Sequence, residues 1–226
     1  MAILVSEIFG TVREVIQDEL SVRWTDAELI DYLNDAVRTA VLLKPDISPI
    51  TEEFTCAAGY KQSWSTLTTE IVQLLDVTQT TATGGGTETP VTFIKRNVLD
   101  LELPTWRSAT ASATIQYYMY DPKQRDVFYV YPPATAGATI ELVYTGLPVA
   151  VTATTDEVPL IDIYAPALIN YVIWRAYTKD SDYSGNPQLA GSYYGAFFQL
   201  ITGKMMAENI EAPDRKIPPP IVEAIG

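Results

Sequence analysis

Few residues in this chain are of a type that does chemistry, and those types restrict what the chemistry could be. Histidine is absent, which removes Ser-His-Asp and Cys-His catalysis, histidine zinc sites and imidazole pH sensing together. The single cysteine, Cys56, can build neither a disulfide framework nor a thiolate zinc site, and no base stands beside it in sequence. Carboxylates remain. A glycosidase needs two of them close together, one with a raised pKa, and Asp162, Asp180 and Asp182, or Glu52 and Glu53, could be proposed. Helix capping and solvation explain each of these equally well. Ring stacking on a sugar or peptide is open to Trp64, Trp106, Tyr117, Tyr118 and Tyr120. The Gly84-Gly85-Gly86 run lacks the Gly-Lys-Ser/Thr ending and the following helix start of a phosphate loop. The reading is of a protein that is not an enzyme and takes no metal and no cofactor.

The elements that would position such residues must come from 226 residues, enough to bury a real core without a staple. Formal net charge is -13, from 28 acidic and 15 basic residues, which disfavours a nucleic-acid grip because such grips need a clustered basic footprint. Glu7, Arg13 and Glu14 interrupt the early apolar residues, so no signal-peptide pattern opens the chain, and no run approaches a transmembrane span. The expectation is a soluble chain, intracellular at synthesis, with no membrane partner.

The clearest element begins at Thr25. Thr25 followed by Glu28 reads as a capping box, and Trp24 with Leu29 as the hydrophobic staple that fixes how the chain enters the helix. Leu29, Ile30, Leu33, Ala36, Val37, Ala40 and Val41 recur at helical spacing, and Lys44-Pro45 supplies a cationic end and a stop. Ile8, Val12, Val15, Ile16 and Leu20 predict an earlier helix over about 4 to 20, joined by a short link that favours an antiparallel pair.

From about 50 to 156 the pattern turns to strands. Residues 53–56 and 61–64 flank a turn at Gly59, residues 70–77 read as a partly buried strand, and 91–94 as its return. Between the last two, Thr78 to Pro90 reads as a Thr- and Gly-rich loop, including Thr83, Gly84, Gly85, Gly86 and Thr87, that is mobile or ordered only by a partner. A short helix is possible near 95–100. Strands follow at 113–120, 126–131 and 139–144, with turn chemistry at Asp121-Pro122-Lys123 and Pro132-Pro133-Ala134. The sum predicts a small β-sandwich or barrel.

Helical spacing returns after Val158. Asp162 reads as an N-cap, Leu168, Ile169, Val172, Ile173 and Ala176 as a stripe, and Asn186-Pro187 as the next start, with that helix ending near Met205 or Met206. On it Gly191 and Gly195 stand four apart, for close helix packing or a subunit contact. The last stretch, with Pro213, Pro218, Pro219 and Pro220 among Ile217, Ile221, Val222 and Ile225, cannot be one helix and reads as an extended, partner-docked tail or a disordered terminus. The predicted fold is α+β. A four-helix body from 1–48 and 157–207 holds an inserted antiparallel β domain, 49–156, and 208–226 is the extended Pro-rich tail.

Residues 23–36, Arg-Trp-Thr-Asp-Ala-Glu-Leu-Ile-Asp-Tyr-Leu-Asn-Asp-Ala, resemble the N-terminal segment of phage head-to-tail adaptor (connector) proteins. Leu99-Asp100 with Pro104 and Trp106, the strand 128–133 and the closing Tyr144-Thr145-Gly146-Leu147-Pro148 are similar to recurring elements of one such family. The resemblance implies a structural virion protein at the head-to-tail junction, present in the host cytoplasm during assembly. It implies a homo-oligomeric ring, twelve-fold, lying between the portal protein and a tail or nozzle protein. Ile217 to Val222 would reach the portal, the Thr83–Thr87 loop would face the tail or a neighbouring subunit, and DNA would pass without specific binding. The alternative is a carbohydrate- or peptide-binding β module of a phage tail.

Overall fold

The computed structural model describes residues 3–64, 67, 70–124, 126–179 and 187–211, with the side chains of the final helix described over 188–203. It is an α+β protein with five described helices and two sheets. The chain divides into two compact units, one of Met1–Ser48 with Pro148–Pro213 and one built on Pro49–Leu147.

In the first unit α1 spans Val5–Ile16 and α2 spans Asp26–Leu43. α1 stops short of the expected position 20, and the cause is Asp18. Its carboxylate accepts the backbone N–H groups of Val22, Arg23 and Trp24, gathering the chain into a turn with Gln17 and Ser21 both in the left-handed region at φ 56°. Lys44 stands at the end of α2 as expected. It is buried, and its Nζ donates to the Tyr164 hydroxyl at 3.1 Å. The segment after Pro148 seats the helices: Asn34 exchanges two 2.9 Å hydrogen bonds with the backbone of Val151, and Val5 N–H donates to Asp156.

A 3-10 turn, Asp162–Tyr164, leads into α4, Ala165–Lys179, so Asp162 lies within the turn and does not cap the α-helix. α5 runs Pro187–Glu211, beyond the expected end near Met206 and into the stretch expected to be extended from Glu208. Nothing between Thr202 and Glu211 breaks a helix; the first residue that does is Pro213, which disfavours helical backbone at the residue before it. α4 packs against α1, α2 and α5 around one core that includes Ile8, Leu29, Leu33, Val172 and Phe197.

The second unit holds eight strands and α3, Arg96–Glu102. One sheet orders β1 (Pro49–Thr55), β8 (Thr139–Gly146), β3 (Ile71–Thr81) and β4 (Thr89–Pro90), antiparallel throughout. The other orders β2 (Gly59–Ser63), β7 (Val127–Ala134), β6 (Tyr117–Tyr120) and β5 (Thr92–Phe93), in which β5 runs parallel to β6. One cluster takes Phe54, Leu74, Val77, Ile140 and Tyr144 from the first sheet and Tyr118, Phe128 and Val130 from the second.

Three expectations change here. Strands β1 and β2 do not pair across Gly59; each enters a different sheet, and buried Gln62 bridges the crossing by bonding Ala57 and Gly59. Residues 91–94 are not a simple return strand, because β4 stays with β3 while β5 changes sheet. Pro132 and Pro133 lie inside β7. Between Gly59↔Ala134 and Lys61↔Tyr129 the β2 ladder is interrupted, so the missing proline N–H groups cost no pairing there.

Candidate functional site

Several sets of residues stand as candidates, and the chain positions them by different means. At the entry to α2, Thr25 is extended and its hydroxyl accepts Glu28 N–H at 3.3 Å, so the cap forms as expected. The reciprocal half of the capping box does not. Glu28 turns instead to α4, accepting from Lys179 Nζ at 2.6 and 2.7 Å and from the Tyr32 hydroxyl at 2.7 Å. Burial alone would raise the Glu28 pKa, but these donors hold it below its ordinary value. Burial and the neighbouring carboxylate push Tyr32 up to about 12. Trp24 and Leu29 are both buried in the helical core, and the Trp24 indole N–H has no acceptor among the described residues.

Below this entry lies a tie that periodicity did not single out. Arg13 Nη1 donates to the carbonyls of Asp18 and Trp24, both at 3.1 Å, and Nη2 to Asp26 at 2.5 Å. Burial would raise the Asp18 pKa; three backbone N–H groups and the Arg13 guanidinium lower it further than burial lifts it. The available signal was Asp18 two residues past Ile16, a turn former masked by Leu20, which continues the helical spacing but lies exposed beyond the end of α1. The arrangement fixes α1 to α2.

The Thr83–Thr87 loop is held by its own chain. Gly84 N–H donates to Thr139 Oγ1 at 2.8 Å, Thr83 Oγ1 to Glu53 at 3.1 Å, and Thr87 N–H to Thr114 Oγ1 at 2.9 Å. A Cβ at Gly84 would lie 2.2 Å from the Gly137 carbonyl, and one at Gly86 would lie 2.6 Å from that of Ala113. Gly85 takes φ +76°. The glycines serve close approach and a left-handed turn, which corrects the expectation of a loop ordered only by a partner. Ile217, Pro218, Pro219, Pro220, Ile221 and Val222 lie outside the described residues, as do Asp180 and Asp182.

The proposed carboxylate pair does not converge. Glu52 and Glu53 are consecutive on β1 and so point to opposite faces; Glu52 accepts the Tyr144 hydroxyl at 2.6 Å while Glu53 takes Thr83. Cys56 is buried and its thiol is pushed up to about 12 by burial. Of the aromatic platforms, Trp64, Trp106 and Tyr118 are buried and Tyr117 and Tyr120 half-buried, so they serve the core. The Leu99-Asp100…Trp106 motif is likewise a tie: Asp100 accepts the Trp106 indole N–H and Arg107, each at 2.8 Å. These bonds, that from Trp106 foremost, hold the Asp100 carboxyl below its usual range.

A further candidate, missed by sequence, is a cleft of about 360 Å³ lined by Phe93, Lys95, Arg96, Asp100, Tyr120 and Tyr129 among others. Arg96 lies 5.8 Å above the Tyr129 ring, and Asp100 is already occupied by Trp106 and Arg107. Its residues come from β5, α3, β6 and β7, and no local spacing links them. Among the described residues no cluster of His, Cys, Asp or Glu is placed to hold a metal ion, and no helix is long and apolar enough to cross a membrane.

Among the described residues the geometry gives ties and a cleft. No curated protein matches the chain. The model of one family, described as SU10 adaptor protein, matches residues 4–217 and so runs through both units. The chain belongs to the SU10 adaptor protein family, a phage head-to-tail adaptor family.

Proposed function

We propose that this phage adaptor is a structural virion protein, without enzymatic activity, that forms a twelve-subunit ring joining the portal protein to a tail or nozzle protein. The observation that carries the reading is the family match over residues 4–217, which includes the helical unit, the β unit and the first part of the stretch 208–226. In the ring the N- and C-terminal helix pairs act as a four-helix body and the two sheets as a β-sandwich inserted into it. One core shared by α1, α2, α4 and α5, and another shared by both sheets, support that division. The segment beyond Glu211, with Ile217, Pro218, Pro219, Pro220, Ile221 and Val222, is the portal-binding tail. The Thr83–Thr87 loop faces the tail or a neighbouring subunit, presented as a shaped surface by its own hydrogen bonds.

Charge fits a conduit. A net charge of -13 gives DNA little to bind, whereas a basic wall would retain phosphate with strong, salt-dependent affinity. The test is a phage made without this chain. Electron micrographs are expected to show heads that fill or leak but carry no tail, rescued by supplying the protein in trans; normally tailed particles would contradict the proposal.

A further inference from the structure

We infer that the side of α5 turned away from α4 is a contact surface for a second copy of this chain. The inference rests on the ring reading for its setting, and on α5 itself for its evidence. α5 buries Ala190, Phe197 and Ile201, residues on one side of the helix, with Tyr171 packed edge-on against Phe197 at 5.0 Å. A helix covered on one side only should carry charge on the other. This one does not. From Pro187 to Gly203 there is no acidic or basic residue, in a chain where 19% of residues are charged. In place of charge the outer arc has exposed Gln188, Ser192 and Gln199 with half-buried Gly195 and Thr202, edged by Leu189 and Leu200 on one flank and Phe198 on the other. Leu189, Phe198 and Leu200 keep 41, 43 and 45% of their surface exposed. Gly191 and Gly195 have nothing within 4 Å of where a Cβ would stand, so a partner's backbone can come close.

Charge decides the occupant. Two copies of a chain at -13 repel through ordinary surface, and like-charge juxtaposition is the main obstacle to their meeting. A surface emptied of carboxylates is what a second copy of an acidic chain requires, while a basic partner would be better met by keeping them. The size agrees with a ring and not with a free dimer. The uncharged stretch is ~25 Å long and ~12 Å wide, a footprint on the order of 300 Å², well short of the ~800 Å² per partner of a stable pairwise interface. Such a contact holds when it is repeated around a closed ring, where each copy is bound on two sides and the last contact is intramolecular.

The experiment uses full-length protein in two arms. In the first, S192E/Q199E and the control S192A/Q199A are mixed with portal rings and weighed by mass photometry, with circular dichroism to verify the fold. The glutamate variant is expected to give at least tenfold fewer completed rings while single copies still reach the portal, and the alanine control to match the natural chain. Completion of rings by the glutamate variant at the natural level would overturn the inference. In the second arm a photoreactive benzoylphenylalanine replaces Gln199, and the protein is irradiated alone at high concentration and on the portal. Chain-to-chain adducts are expected. This arm stands even if the natural chain ignores the portal, an outcome that would sink the ring reading by itself; absence of adducts in every condition would sink the α5 contact.

Discussion

The two units tie their connecting segments differently, the α1–α2 turn through neighbours in sequence and the Thr83–Thr87 loop through distant strands. In the helical unit the turn between α1 and α2 is closed by ties short in sequence, among Arg13, Asp18, Trp24 and Asp26, while Asn34 to Val151, Lys44 to Tyr164 and Lys179 to Glu28 join distant segments. In the β unit the ties span the chain, as Tyr144 to Glu52, Tyr118 to Asp76 and Thr139 to Gly84 do. The glycines differ in the same sense. Gly84 and Gly86 stand against backbone, whereas Gly191 and Gly195 on α5 face open space. Crowded glycines in one unit and open ones in the other mean that identical substitutions should have opposite effects in the two.

The largest expected contrast is at glycine. Gly84→Ala drives a Cβ into the Gly137 carbonyl and the Thr139 N–H, and should cost about 2–4 kcal/mol in urea unfolding. Gly195→Ala meets nothing and removes a poor helix former, so it should be neutral or stabilise by about 0.5–1 kcal/mol. Equal effects at both sites would erase the distinction. Next is Asp18→Ala, which leaves three backbone N–H groups without their acceptor and should cost about 2–3 kcal/mol.

That carboxylate also sets a pH signature. The folded pKa of Asp18 lies below its ordinary value of 3.8, so its stabilisation is present above that value and is lost as pH falls through the lower folded one. Unfolding followed between pH 5 and 2 should show the natural chain losing stability more steeply than D18N over the acid end of the range. Parallel pH curves would remove Asp18 from the account.

Tryptophan gives a smaller contrast between the units. Trp106→Phe breaks the bond to Asp100 and should cost about 1–2 kcal/mol, while Trp24→Phe removes a donor that has no acceptor among the described residues and should cost less. The smallest effect is expected at Lys179→Met, which opens an exposed pair with Glu28 worth about 0.5 kcal/mol.

Much of the helical unit was legible because its signals are local. Thr25, the stripe of α2 and Pro187 act within a turn or two of where they stand. Glu28 was misread as half of a capping box because its real partners, Tyr32 and Lys179, include one 151 residues away. In the β unit the strands were legible and their partners were not. β3 buries Ile71, Leu74, Val77 and Thr80, every third residue, because three register shifts against β8 break the two-residue alternation. Pro132 and Pro133 carry turn chemistry but sit where the ladder is already interrupted, which only the pairing of β2 with β7 reveals. The Gly-rich loop read as mobile because its acceptors, Thr139, Glu53 and Thr114, come from other parts of the chain.

The central claim is that this chain builds onto a portal ring through the segment that follows α5. The most direct measurement is mass photometry of purified portal rings mixed with the full-length chain or with a truncation after Glu211, which keeps α5 whole. Stoichiometric addition by the full-length chain, lost or weakened at least about tenfold in the truncation, a difference of about 1.4 kcal/mol or more in binding free energy, is the predicted result. Portal rings whose mass is unchanged by either form would contradict the account.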